Sequence, residues 1–380
     1  MSLPQQEAPI ATRRSVATHA QASRKISLLA GNSAPAKITH IRVRHSDLLK
    51  TEQTDQVLAV EHIRRMHGGS QAQLLRCSDG RHYVVKFQNN PQGLKILASD
   101  LLGTLLAIQL GLPAQQPVLV YVREDLIRAT EDMVIQLRRG RVPCRSGLCF
   151  GSRYPCGQAR SDSSALAVVY DYLPNGSIES VENLLDFAGM LVFDQWTCNT
   201  DRRQTIFVRR SKRLTYHASM IDQGGCFNGE EWDFPDSPLR GLYRNRAAYS
   251  GYRGFDVFEP WLNRLDHETD EETLQLAGSK IPPEWYEGDV DALARLLERL
   301  DRRRKQVRDQ MWSLVRSSPE SFPNWRQERE CPERNGKYST SVAVGPTELE
   351  ARGRNQHTSQ VSKTAEQPHV VASTGASNNT

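Results

Sequence analysis

The stretch Leu191-Val-Phe-Asp-Gln-Trp-Thr-Cys-Asn-Thr-Asp-Arg-Arg-Gln-Thr-Ile-Phe-Val208 constrains this chain more than any other. An apolar run ends at Trp196, a polar loop holds Asn199, Asp201, Arg202 and Arg203, and a short apolar run follows at Ile206-Phe-Val208. A helix that stops in a polar loop and restarts as a strand presents its loop to a cleft. Carboxylate, amide and guanidinium groups gathered there suit a phosphate and its metal ions better than they suit a core.

The chain has 380 residues, enough for one large domain or two smaller ones with tails. Hydrophobic residues make up 38% and mean hydropathy is −0.57, low for one packed unit of this length. Residues 1–36 and the stretch from about 318 to 380, rich in Ser, Thr, Gln, Asn, Gly and Pro, are expected to be disordered tails. The net charge of +5 is too small and too dispersed to argue for nucleic acid. The basic run Arg302-Arg-Arg-Lys305 lacks a recognition motif and reads as a solvated helix face. Apolar runs fall short of the ~18 residues a membrane span needs, and no secretory signal is visible. Seven cysteines without such a signal imply reduced thiols in a cytoplasm. Cys144, Cys149 and Cys156 lack paired metal-ligand spacing and read as loop cysteines.

Short strands are expected around Ile41–Val43 and Val57–Val60, then at Gln73–Cys77 and His82–Phe87. The last two flank Ser-Asp-Gly80, a hairpin signal, and together these read as a small antiparallel sheet. Lys86, one place from the end of its strand, is either a solvated edge lysine or a cation aimed at phosphates, beneath the turn His67-Gly-Gly-Ser-Gln71, whose amides suit an anion. Apolar spacing predicts a helix over 93–110, stopped by Gly111 and Pro113. Asp100 lies on it and either pairs with Lys86 or is solvated. Val118–Val122 is a predicted strand, and 123–165 is read as mixed loops. Ala165–Tyr172 is a strand running into the turn Pro174-Asn-Gly-Ser177; its end, with Tyr170 and Tyr172, is where an adenine could meet backbone groups. One helix is expected over 178–196 and another over 289–315. Thr205–Val208 and Leu214–Ala218 form a hairpin leading to Asp222-Gln-Gly-Gly225, where a carboxylate enters a glycine-rich loop, as a metal ligand or as a turn residue. Residues 230–288 are irregular, with short helices near Trp261 and over 271–276, and are expected to help form an acceptor side.

The order of these features is that of a two-lobed kinase: glycine turn, strand lysine, helix carboxylate, connector, apolar helix, Asn-x-Asp-Arg, hairpin, Asp before Gly-Gly. Phosphoryl transfer asks for a lysine on the phosphates, ligands for Mg²⁺ and a carboxylate to orient the attacking hydroxyl. Lys86, Asp222 and Asp201 occur in that order.

The chain also resembles the HipA-like kinases over residues 38–316. The likeness is carried by His67-Gly-Gly-Ser-Gln71, Tyr83-Val-Val-Lys-Phe87, Leu110-Gly-Leu-Pro113, Phe193-Asp-Gln-Trp-Thr-Cys-Asn-Thr-Asp-Arg202 and Ile221-Asp-Gln-Gly-Gly-Cys-Phe227. The resemblance implies an α+β, protein-kinase-like fold: a small β-rich N-lobe over 37–175 and a larger, mainly helical C-lobe over 176–317. It further implies a bacterial, cytoplasmic ATP- and Mg²⁺-dependent kinase acting on a protein Ser/Thr or another hydroxyl acceptor. Lys86, Gly69 and Ser70 would bind phosphates with Asp100 in support; Asp201 would be catalytic beside Asn199, with Asp194 buttressing the loop; Asp222 would bind metal. Three departures stand out. Arg203 replaces the usual His two places after the catalytic Asp. Ile206 stands where a metal-binding Asn is usual, leaving Gln204 as the nearest amide. Asp100 replaces a usual Glu. If Gln204 does not serve the metal, the alternative is a weak or inactive nucleotide-binding pseudokinase that acts through partners.

Overall fold

The computed structural model describes residues 56–155, 168–209, 215–237 and 240–326. The expected tail over 1–36, the strand near 41–43 and Cys156 lie outside them. Strands β1 (Gln56–Arg65), β2 (Gln73–Cys77) and β3 (His82–Lys86) run antiparallel in chain order. The β2–β3 turn follows the expected hairpin chemistry: Gly80 takes φ +77°, and Asp79 Oδ1 accepts from the Arg81 amide at 3.0 Å. Helix α1 (Lys95–Gln109) follows. It is apolar on nearly every face and correspondingly buried, lying between the β-rich and helical regions. Its end is a Schellman turn, with the Gly111 amide donating to Ile108 O at 2.8 Å and the Leu112 amide to Ala107 O at 2.9 Å; Gly111 supplies the φ of +75° this requires.

After β4 (Pro117–Val122) the chain does not dissolve into loops as expected. A short helix α2 (Glu124–Ala129), a hairpin of β5 (Val134–Leu137) and β6 (Gly140–Pro143), and strand β7 (Gly147–Arg153) occupy 124–153. β7 inserts between β3 and β4, and β4 pairs parallel with β1, so the expected sheet closes into a five-stranded barrel, β1-β2-β3-β7-β4. The sequence of β7, Gly-Leu-Cys-Phe-Gly-Ser-Arg, conceals it. Its Gly151 is needed because a Cβ there would lie 2.6 Å from a Val120 methyl and 2.8 Å from a Val118 methyl. Cys149 is not a loop cysteine but lies in β7, while Cys144 is in the β6–β7 loop as expected; both are buried in the barrel core with Cys77.

In the C-terminal region, strands β8 (Val169–Tyr170), β9 (Gln204–Arg209) and β10 (Tyr216–Ile221) form a sheet in the order β10-β9-β8. Of the strand expected over 165–172, only β8 is a strand in the described residues. The helix expected over 178–196 is two: a single turn α3 (Asn175–Ile178) and α4 (Asp186–Thr197). Between them Val181 forms a parallel bridge with Tyr216, which the apolar spacing could not distinguish from helix. Helices α5 (Glu259–Glu268) and α6 (Glu271–Gly278) fall where expected. The last long helix breaks at Lys305–Gln306 into α7 (Val290–Arg304) and α8 (Val307–Ser317). The basic run in α7 is not all solvated. Arg303 is buried; it donates to Trp196 O at 3.0 Å and Gln195 O at 2.9 Å and pairs with Asp236, fastening the end of α4. Order also continues past 318: Phe322 is buried and Trp325 packs beside it, so the polar composition of 318–326 masked two aromatic anchors. No described helix is long and apolar enough to cross a membrane.

Candidate active site

The β-rich and helical regions face each other across a cleft of about 520 Å³, the size of a small-ligand site. Lys86, at the end of β3, is its central cation. Lys86 Nζ lies 2.6 Å from Asp100 Oδ2 on α1 and 2.6 Å from Asp222 Oδ1 after β10. Lys86 and Asp100 are both buried, so neither is the solvated side chain that spacing alone allowed. Burial alone would push the Lys86 ammonium down, but the Asp100 and Asp222 carboxylates outweigh it and raise it. Burial lifts the Asp100 carboxyl to about 6, with the Asp222 charge adding to the rise and Lys86 opposing it. Asp222 is also pushed up by burial, yet Lys86 and the Gln204 amide bring it below the ordinary carboxylate range.

Gln204, the first residue of β9, donates from Nε2 to Asp222 Oδ2 at 2.8 Å. Asp222 itself sits at φ +59°, a left-handed turn conformation that Asp tolerates and that swings its carboxylate off the strand.

The loop from α4 to β9 is braced from beneath. Cys198 leaves the helix at φ 51°, ψ 48°, a conformation that costs a non-glycine residue about 1–2 kcal/mol. Asp194, on the last turn of α4, accepts from Asn199 Nδ2 at 2.9 Å and from Arg203 Nε at 2.9 Å, with a second, shorter Arg203 contact on its other oxygen. Arg203 also donates to Gln223 Oε1 at 2.5 Å and to Ile221 O at 3.3 Å. One buried guanidinium thus joins the helix, the loop and the segment that carries Asp222. Asn199 Oδ1 accepts from the Asp201 amide at 3.1 Å, fixing the turn that presents Asp201. The Asp201 carboxyl is held above its ordinary range by partial burial and then by the Asp222 charge.

Gly224 and Gly225 thread between the two halves. A Cβ on Gly224 would lie 2.8 Å from an Ile96 methyl and 3.1 Å from Asp100 Oδ2. One on Gly225 would lie 2.7 Å from Asn199 Oδ1 and 2.9 Å from Asp201 Oδ2. Just beyond, Gly229 O accepts from Ser99 Oγ at 2.9 Å, and Ser99 Oγ accepts from Trp232 Nε1 at 3.0 Å, so this segment also grips the helix carrying Asp100.

The glycine turn is held in place by Gln71, whose Nε2 donates to Gln136 O at 2.8 Å and whose Oε1 accepts from the Gln136 amide at 2.7 Å. His67 and Ser70 line the cleft; Gly69 does not. Tyr170 and Tyr172 do not line it either. Strand alternation turns Val169 and Asp171 to the cleft instead, while Tyr170 packs edge-on against Tyr216 and Tyr172 lies under Arg244. Val84 above and Ile206 and Ile221 below give the cleft apolar walls, which the alternation of β3, β9 and β10 could have marked. Arg203's bracing role and the cleft arginines Arg64, Arg153 and Arg244 had no signal beyond residue type.

Among the described residues, no group of three or more His, Cys, Asp or Glu side chains is gathered for a metal ion. Mg²⁺ in phosphoryl-transfer sites is held by one or two carboxylates plus substrate phosphates and water rather than by a protein cage. Asp222, with the Gln204 amide against it, fits that pattern.

Residues 59–215 match the sequence model of the family described as HipA-like kinase. No curated protein matches the chain. Among solved structures, the chain is similar to the Golgi casein kinase with Mn/ADP bound, at 11% identity, covering 72% of this chain and 76% of that one with a TM-score of 0.38. It is also similar to the Helicobacter pylori proinflammatory kinase CtkA, at 14% identity over 70% of this chain and 99% of that one, TM-score 0.43.

Proposed function

A HipA-like kinase domain spans residues 59–215 of this chain, within a bilobal kinase-like fold, and from that premise we propose that the protein is an ATP-dependent kinase that phosphorylates a hydroxyl acceptor in a reducing, cytoplasmic setting. The observation that carries the reading is the Lys86–Asp100–Asp222 cluster, set across Gly224-Gly225 from Asp201. Lys86 binds the nucleotide phosphates, and Asp100 holds the lysine in place. Asp201 orients the acceptor hydroxyl and takes its proton as the new O–P bond forms and the bond to the ADP leaving group breaks. Asp222 would hold Mg²⁺, with the Gln204 amide beside it as the candidate second ligand. When bound, the metal neutralises charge on the transferring phosphoryl group.

One observation favours the pseudokinase alternative. Ile206, where the family usually carries a metal-binding Asn, is only 6% exposed and forms part of the apolar floor. The test of nucleotide use is thermal stabilisation by ATP with and without Mg²⁺, in wild type, Lys86→Ala and Gln204→Ala. A ligand at a hundred times its Kd contributes about 2.7 kcal/mol. A shift in wild type that needs Mg²⁺ and is lost in Lys86→Ala supports the site; its loss in Gln204→Ala assigns the amide to the metal. No shift with any metal would sink the nucleotide reading.

A further inference from the structure

We propose that the β5–β6 hairpin is a docking arm for an acidic segment of a partner protein that also carries apolar side chains, and that docking there is passed to the glycine turn through Gln71. The docking stands apart from the kinase reading; its coupling to nucleotide rests on that reading.

The hairpin is a two-stranded sheet of its own beside the barrel. Its inner end is anchored: Ile135 is fully buried in the barrel core, and Asn89 Nδ2 donates to Pro143 O at 2.9 Å. Strand alternation puts Leu137, two residues beyond Ile135, and Val142, paired with Ile135, on that same face. The face runs out of the core into solvent, leaving Leu137 41% and Val142 36% exposed. Leu137 pairs with Gly140, which has no side chain to cover it. The turn joining the strands is Arg138-Arg139, both exposed. Arg141 lies on the opposite face and donates from Nε to Gln136 Oε1 at 3.0 Å. None of the three arginines pairs with a carboxylate among the described residues, and the hairpin's own acids, Glu131 and Asp132, precede β5 at its inner end.

Two aliphatic side chains beneath two guanidiniums select their occupant. The guanidiniums attract carboxylates and repel a basic segment, and the aliphatic surface gains by leaving water. A nucleic acid would meet the arginines with its phosphates and leave Leu137 and Val142 wet. A net charge of +5 also lacks the broad basic surface such a partner needs. An acidic stretch with aliphatic side chains between its carboxylates satisfies both halves of the surface.

Gln71 connects this arm to the cleft. Its side-chain amide pairs with the Gln136 backbone in both directions, at 2.8 and 2.7 Å, as a neighbouring strand would. Among the described residues, these two are the hydrogen bonds that tie residues 136–141 to the rest of the chain. The Gln71 amide also donates to Gly68 O at 3.2 Å, closing the turn that brings His67 and Ser70 to the cleft. A two-stranded hairpin is marginal in water by itself. Docking orders it and orders Gln71 with it, so the nucleotide meets a turn already fixed, and the two ligands bind with positive cooperativity.

Fluorescence anisotropy on the full chain measures docking directly. The probe is a labelled peptide with two leucines among glutamates. Lysines replace the glutamates in one counterpart, alanines replace the leucines in another, and a single-stranded oligonucleotide of equal charge is a third ligand. Without nucleotide, the probe is expected to bind at least ~10-fold more tightly than the lysine peptide and about 3- to 10-fold more tightly than the alanine peptide. Arg138→Gln, Arg139→Gln and Leu137→Ser each lower its affinity about 3- to 10-fold, at an unchanged melting temperature because all three side chains are exposed. Arg302→Gln, an equal loss of charge at an exposed site on α7, leaves affinity unchanged. No binding of the probe, equal affinity for the lysine peptide, tighter binding of the oligonucleotide, or an equal loss in Arg302→Gln overturns the docking site. A saturating non-hydrolysable ATP analogue with Mg²⁺ is expected to tighten probe binding about 5-fold, an increase lost in Gln71→Ala at saturating analogue. No tightening in wild type, or tightening retained in Gln71→Ala, overturns the coupling. Absence of any ATP-dependent thermal shift in wild type removes the kinase reading and the coupling together, while the nucleotide-free titration still decides the docking site.

Discussion

Asp194 and Arg203, five residues before and four residues after Asn199, form an ion pair in which both side chains are fully buried, so the polar loop is closed like a staple from below. The guanidinium needs the carboxylate to be tolerated there, and the carboxylate needs both Arg203 and Asn199. Breaking a buried pair by removing one partner costs about 3–5 kcal/mol. Arg203→Ala and Asp194→Ala are each expected to destabilise the protein on that scale in urea unfolding, with the double variant costing much less than their sum. Arg203→His, which restores the residue usual in the family, should recover part of the loss through Asp194.

Gly225→Ala separates catalysis from nucleotide binding. Gly225 has φ −77°, open to alanine, so the substitution acts through space alone. Its Cβ would sit 2.7 Å from Asn199 Oδ1 and 2.9 Å from Asp201 Oδ2, while Lys86 is not among its near neighbours. Displacing a catalytic group by about 1 Å costs ~100-fold in rate. Phosphate transfer should fall by that order while the ATP-dependent thermal shift persists.

The Asp100 carboxyl gives a pH dependence with a definite sign. Its value rises from 3.8 to about 6 in the folded chain, so between these the fold holds a proton that the unfolded chain has released. Its contribution to stability is therefore fully present below about 3.8 and lost as pH rises through 6. Asp222, lowered in the fold, acts oppositely and below that window. Asp100→Asn is expected to gain on wild type in urea midpoint between pH 4.5 and pH 7. A relative loss over the same interval would mean that Lys86 outweighs burial at Asp100.

Much of the cleft was legible because its parts are local. Asp79-Gly80 signals a hairpin, Gly111 a helix end, and Lys86 and Asp222 each stand at the end of a strand, where a side chain meets a cleft; Asp201, in the loop between α4 and β9, is not among the residues lining it. What stayed hidden depended on distant partners. β7 carries too many small residues for a strand pattern, and only its place between β3 and β4 makes Gly151 intelligible. Arg303 reads as surface charge and Arg203 as a loop arginine for phosphate because their partners, the end of α4 and Asp194, are named only by the fold. Tyr170 and Tyr172 were assigned to the nucleotide although strand parity turns their neighbours to it.

The central claim is that Asp201 serves phosphoryl transfer at a site organised by Lys86. The most direct measurement is transfer of labelled γ-phosphate from ATP with Mg²⁺ to a panel of serine- and threonine-containing peptides and to the protein itself, in wild type and Asp201→Asn, with the ATP-dependent thermal shift measured on both. The account predicts transfer by wild type, its loss in Asp201→Asn, and an undiminished thermal shift in the variant. Equal transfer by wild type and Asp201→Asn, or none by wild type despite a clear shift with Mg²⁺, would contradict it.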